Sequence, residues 1–206
     1  MCRHIILEAF SSRHSVSIYN TDEPFSEITD EDEIYSFFGG FDLHNERTKE
    51  IIAVVDGIFF DEDKILNDGE DVVDVADALD GDATGAMFAL SKSRIHNQAL
   101  NFEKAMLPLF SCYIRRVYVY PKFRGSGIAR YIFENIEAIC LHSFNTHIHS
   151  FVIYPKPQQP NVEGNWENMP DEDGVMLKRM VSVLKKAGYK KIGKFGYYAL
   201  NCALDK

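Results

Sequence analysis

The sequence predicts a single domain of the α/β class, in its mixed α+β form, built on a mixed sheet. Three observations carry that expectation. Apolar, β-branched runs alternate along the chain with amphipathic helical stripes. After residue 110 the order reads strand, glycine loop, helix, strand, helix, hairpin. The length of 206 residues, 46% of them hydrophobic, with 15 Phe and 10 Tyr, suffices for one domain with a true core and does not require two.

Taken in order, "RHIILEAF" (3–10) and "HSVSIY" (14–19) read as strands, and "SEITDEDEIYSFF" (26–38) as a helix with an acidic first part. "KEIIAVVDGIFF" (49–60) has a buried-strand pattern, interrupted at Asp56 and Gly57 by a turn or a bulge. Residues 70–107 read as helical with a break near Gly81 and Asp82, and "FSCYIRRVYVY" (110–120) as a strand. The next helix places Ile128, Ile132, Ile136, Ile139 and Cys140 on one stripe, with Ala129 and Phe133 beside it. "HIHSFVIY" (147–154) is a further strand. Four of the seven prolines then fall between 155 and 170 with the single tryptophan, Trp166, which marks a partly rigid binding loop over 155–173. "GVMLKRMVSVLKKAG" (174–188) is an amphipathic helix with Leu177, Met180, Val181 and Leu184 as its stripe and Gly188 as its stop. "YKKIGKFGYYALNCAL" (189–204) reads as a closing hairpin with Gly193 and Gly196 near its turn.

Composition narrows the function. No segment approaches the ~20 apolar residues that span a bilayer, and "MCRHIILEAF" lacks the apolar core and small-residue site of a signal peptide. Cys2, Cys112, Cys140 and Cys202 are scattered without CxxC spacing, which argues against a zinc site and a disulfide framework and for reduced thiols in a cytoplasm. The net charge of −9 disfavours nucleic acid and favours cationic small molecules. The charge is uneven: residues 61–82 hold ten acidic residues against Lys64 alone, and residues 178–194 hold seven basic ones. Each run reads first as a solvated face; the basic run also suits a polyanionic ligand.

The stretch "RGSGIAR" (124–130) follows the strand and opens the helix. A glycine-rich strand-to-helix turn aims several backbone amides at one point, and the helix dipole adds positive potential there. The lysine and hydroxyl of a P-loop are absent, Arg130 stands where a dinucleotide fingerprint needs its third glycine, and no G-x-S-x-G elbow is present. Arg124, Gly127 and Ala129 do form R-x-x-G-x-A, preceded by V-x-V-x-P at Val117, Val119 and Pro121. The whole segment, "VYVYPKFRGSGIARYIFENI", resembles the acetyl-CoA-binding segment of the GCN5-related N-acetyltransferase (GNAT) superfamily, in a little-characterised branch. The Gly188-Tyr189 pair and the closing hairpin extend the resemblance.

The resemblance implies a central mixed, mostly antiparallel sheet flanked by helices, forming one domain over 1–206. An acidic helical insert around 61–107 and the proline-rich loop 155–173 interrupt it. It also implies that Val117 and Val119 lie along the pantetheine arm of acetyl-CoA, and that Arg124, Gly125, Ser126, Gly127, Ile128 and Ala129 cradle its pyrophosphate. Transfer to an amine needs a base for the ammonium proton, a donor for the carbonyl oxygen and an acid for the leaving thiolate. The tyrosine that usually supplies that acid is replaced by Leu184, leaving Tyr154, Tyr189, Tyr197 and Tyr198 as substitutes. Asp56, Glu103, Glu163, Glu167, Asp171 and Glu172 are the candidate bases, none singled out. His147 and His149 share a strand face but lack a third partner, so no metal is expected. Trp166 either closes over the substrate or anchors its loop. Two functions follow: a cytoplasmic acetyl-CoA-dependent N-acetyltransferase acting on a primary amine of a small cationic molecule or protein, or a catalytically weak or inactive acyl-CoA-binding or protein-interaction module. Pairing of two chains into a homodimer is compatible with both.

Overall fold

The computed structural model describes residues 5–11, 35–93, 109–162 and 165–202. Seven strands form one sheet in the order β1-β2-β3-β4-β5-β9-β8. They are β1 (Ile5–Ser11), β2 (Ser36–Asn45), β3 (Ile51–Asp61), β4 (Phe110–Val119), β5 (Ile148–Ile153), β8 (Lys190–Ile192) and β9 (Tyr197–Asn201). Only β4 and β5 run parallel; every other neighbouring pair is antiparallel. The expected mixed, mostly antiparallel sheet flanked by helices is the architecture observed.

Strand alternation sends side chains to two faces, and each face has its own helical cover. On one face α4 (Ile128–Phe144) and α5 (Val175–Lys186) bury Phe41, Phe59, Cys112, Ile114, Phe151 and Ile153. The stripe read from the sequence faces inward: Ile128, Ile132, Ile136 and Cys140 are buried, with Phe133 beside them. On the other face three short helices, α1 (Glu62–Asn67), α2 (Val72–Asp77) and α3 (Gly81–Ser91), bury Ile58, Phe60, Tyr113, Val152 and Ala199. Part of the acidic run starts these helices. Asp61, Asp71 and Asp80 are their N-caps, accepting from the amides of Lys64, Val73 and Asp82.

Several expectations change. Ser36–Phe38 are not the end of a helix but the start of β2. Phe37 stacks on its cross-strand partner Phe59, with ring centroids 4.7 Å apart, and this aromatic pairing outweighs the local acidic helix signal. Residues 26–34, the strand expected at 14–19 and the end of the helical stretch at 94–107 lie outside the described residues. The interruption at Asp56 and Gly57 is a bulge, carried by the partner strand: Asp56 faces Arg116, Gly57 faces Ile114, and Arg115 is the extra residue. The proline-rich segment contains a small hairpin, β6 (Gln158–Pro160) with β7 (Trp166–Asn168).

Candidate active site

β4 and β5 pair only from Phe110 to Ile114 on β4 and from Ile148 to Ile153 on β5. Past Ile114 the remainder of β4 pairs with β3 alone among the described strands, so the sheet opens on its β5 side. Backbone groups alternate along a strand. The amide of Tyr120 donates to the Ile52 carbonyl on β3, so the amides and carbonyls of Val117 and Val119 point the other way, toward the opening. Their side chains are half-buried against the core under α4. Backbone toward the cleft and side chain into the core is the arrangement that an extended ligand arm needs to pair as an added strand.

The chain leaves β4 through a single 3₁₀ turn, Pro121–Phe123, and reaches α4 through Arg124 to Gly127. Gly125 and Gly127 have φ of 79° and 87°, values that explain glycine at both positions. A Cβ added at either would meet no atom within 4 Å, so the space above the turn is open. Gly127 caps α4 without a side-chain bond. Among the described backbone hydrogen bonds the amides from Gly125 to Ala129 donate to no carbonyl, and the first N–H to do so is that of Tyr131, to Gly127. Those amides at the N-terminus of a 17-residue helix are donors that can hold an anion. Gly125, Ser126, Gly127, Ile128 and Ala129 thus follow one another through a single turn into α4, with open space above both glycines. Ser126 gives its hydroxyl to the Phe123 carbonyl at 2.5 Å and contributes its amide rather than its side chain.

Arg124 departs from this picture. Its Nε donates to the Val119 carbonyl at 2.8 Å, and its guanidinium lies 5.2 Å from the centre of the Tyr118 ring. Tyr118 meets Tyr120 and Trp166 edge to face, at 5.0 and 5.7 Å. Trp166 also carries the Arg116 guanidinium 5.1 Å from its ring, and Arg116 Nη1 bonds Asp56 Oδ2 at 2.9 Å. The residues that line the sheet face opposite α4 beside the opening are therefore aromatic and charged.

The candidate bases separate by environment. Asp56 is held between Arg116 and Arg115, the latter at 3.8 Å; burial raises its carboxyl above the ordinary range and the two guanidiniums oppose that rise. Asp171 binds the amides of Met176 and Leu177, which hold its carboxyl below the ordinary range, so it belongs to the start of α5. Glu167 and Glu172 are exposed, and Glu103 and Glu163 lie outside the described residues. Sequence reasoning missed Asp42. It lies on β2 opposite Glu8 and Val54, its Oδ1 is buried without a hydrogen bond to any described residue, and burial raises its carboxyl.

The candidate acids separate as well. Leu184 is wholly buried, so the usual tyrosine position is core here. Tyr189 is buried against Phe133, and burial drives its phenol far above the ordinary range. Tyr197 and Tyr198 are also buried. Tyr154 is 41% exposed and follows Ile153, the last β5 residue paired with β4, which puts it at the mouth of the opening. His147 is exposed and His149 buried; among the described residues no three or more His, Cys, Asp or Glu gather as metal ligands.

No protein-family model and no curated protein sequence matches the chain. Solved structures do resemble it. A polyamine N-acetyltransferase of Drosophila melanogaster is 14% identical over 79% of this chain and 74% of its own, with a TM-score of 0.37. An agmatine N-acetyltransferase variant is 14% identical over 79% and 73%, with a TM-score of 0.36. A protein of Sphaerobacter thermophilus assigned as an acetyltransferase is 8% identical over 97% and 94%, with a TM-score of 0.33.

Proposed function

We propose that this chain is an acetyl-CoA-dependent N-acetyltransferase of the GNAT type, acting on a primary amine of a small cationic molecule or of a protein. One observation carries the reading: β4 parts from β5 just where its free backbone edge runs into an open glycine turn with unbonded amides. That combination accepts an extended arm ending in a pyrophosphate.

Acetyl-CoA supplies the acetyl group as a thioester. The chain supplies the rest. The edge groups of Val117 and Val119 hold the arm once Arg124 Nε gives up the Val119 carbonyl, and the amides of Gly125 to Ala129 take the pyrophosphate. The Val117 N–H, directed into the opening, is the donor for the carbonyl oxygen as it gains charge. The amine loses its proton on the face that carries Asp42 and Asp56. Asp56 is committed to its arginines, so Asp42 is the freer proton acceptor, reached through water. For the departing thiolate we assign Tyr154, whose ring packs on Tyr197 with centroids 5.2 Å apart and which is the exposed one of the four candidate tyrosines. Much of the rate comes from holding the two substrates together.

The burial of Leu184 favours a second reading, a binding module with transfer weakened. Calorimetric titration of acetyl-CoA, followed by an amine screen, tests both. Gly127→Asp puts a negative charge in the turn at a positive φ that costs about 1 kcal/mol or more, while its Cβ meets no protein atom within 4 Å. The expected result is a folded variant whose acetyl-CoA affinity falls at least about tenfold, or roughly 1.4 kcal/mol. A well-folded wild type that gives no heat removes the reading. Binding without turnover of any amine selects the module.

A further inference from the structure

Arg124 occupies a position that conflicts with the role its sequence motif implies. A pantetheine arm pairing with β4 needs the Val119 carbonyl, and that carbonyl already accepts from Arg124 Nε. A pyrophosphate on the neighbouring amides offers the same guanidinium a charged acceptor instead of a neutral one, and charge-assisted bonds are the stronger. Both ligand groups therefore act in one direction: one displaces Arg124 from the carbonyl and the other attracts it.

The contacts beyond Arg124 say what that movement changes. Its guanidinium sits over Tyr118, and the Tyr118 ring is one of two ring contacts of Trp166 among the described residues. The other contact, Arg116, is anchored by Asp56 at 2.9 Å and is independent of Arg124. Trp166 thus has one fixed neighbour and one conditional neighbour. It belongs to β7, in a hairpin whose pairing spans three residues on each strand.

We propose that Arg124 is a two-position residue that links the coenzyme seat to the acceptor side. Over Val119 and Tyr118 it braces Trp166 across the open face, and when the seat is filled it turns to the pyrophosphate and releases that brace. The acceptor side is then remodelled only after the acyl donor is in place. The linkage follows from differential contact: the ligand favours the state in which Arg124 has left the carbonyl. It rests on the function proposed above, because it needs the glycine turn to be the pyrophosphate seat.

Trp166 is the only tryptophan in the chain, so its emission reports this contact without any turnover. Coenzyme A titrated into the wild type is expected to change that emission with the same midpoint as the heat of binding. In Arg124→Ala the unliganded emission should already match that of the coenzyme-bound wild type. Its affinity should fall about tenfold through loss of the phosphate contact, and bound coenzyme A should change the emission no further. Arg124→Gln, which keeps side-chain bulk near Tyr118, should bind with similarly reduced affinity and show a smaller emission change than the wild type. Heat with silent emission in the wild type overturns the linkage and leaves the coenzyme seat standing. So does an Arg124→Ala variant that keeps both the wild-type starting emission and its full change. Absence of heat in the wild type overturns the seat, and the linkage with it.

Discussion

At the residue scale, Asp42 combines burial with the lack of a described partner. Glu8 faces it across the β1–β2 pair, His44 follows on its own strand, Asp56 is on β3, and Tyr120, just past the end of β4, feels its charge. Glu8 and Asp56 add to the rise of its carboxyl that burial causes, and His44 opposes it. The sign of the consequence follows. An acid whose pKa is raised on folding stabilises the fold at low pH, and loses that contribution as pH rises through the folded value. Asp42→Asn should therefore stabilise the protein at neutral pH by a fraction of a kcal/mol, since the group keeps some contact with solvent. The advantage should vanish as pH falls below the ordinary carboxylate value of 3.8. Urea unfolding at neutral pH and at about pH 3, below the ordinary carboxylate value, measures it, and an equal gain at both, or no gain at neutral pH, would refute it. Nothing local marks Asp42: "FDLHN" matches no motif, and its neighbours are supplied by register with β1 and β3. The glycines of the turn were legible because positive φ leaves its mark on residue choice. The placement of Arg124 over Val119 was not, since the motif specifies a residue type and not a rotamer.

At the element scale, β2 is the strand that sequence reading missed, and Gly40 shows why its neighbours close so tightly. A Cβ at Gly40 would run into the Val55 carbonyl oxygen and the Phe10 ring, and would stand 3.0 Å from the Asp56 Cα. Two of those three contacts are backbone and cannot swing aside. Gly40→Ala should cost about 1–3 kcal/mol, as overpacking does, and should disturb Asp56 in the process. Gly81 is the internal comparison. It opens α3 with nothing within 4 Å of an added Cβ, so Gly81→Ala should be neutral or gain about 0.5 kcal/mol. Thermal melts of the two variants would contradict this if Gly40→Ala proved the milder change. The contrast also explains what could be read in advance. α4, α5 and β4 carry their period in their own residues, so the strand, glycine turn and helix stood out. "FFGGF" at 37–41 carries no such period; it is a strand because Phe37 stacks on Phe59 and Phe10 covers Gly40.

At the scale of the whole molecule, the sheet has two cores, and neither is peripheral. Ile132 lies wholly buried between α4 and one face, and Leu90 wholly buried between α3 and the other. The acidic helical stretch looked from its charge like an addition to the domain. In the structure its apolar side, with Ala86, Met87 and Leu90, covers Ile58, Phe60 and Tyr113 on strands β3 and β4, and β4 is the strand that parts from β5 at the opening. Removing that cover would bare a sheet face that no other described helix protects, and a bare apolar sheet face does not persist in water. Leu90→Ala and Ile132→Ala should therefore each cost about 2–5 kcal/mol, the range for emptying a well-packed site. Both should melt in one transition shared by near- and far-ultraviolet circular dichroism, because strands β3, β4 and β5 contribute side chains to both cores. A Leu90→Ala protein that lost its helices in a separate, earlier step, while keeping its affinity for acetyl-CoA, would make α1–α3 a removable layer. A single step with loss of that affinity would show that the second core holds β4 in place beside the opening.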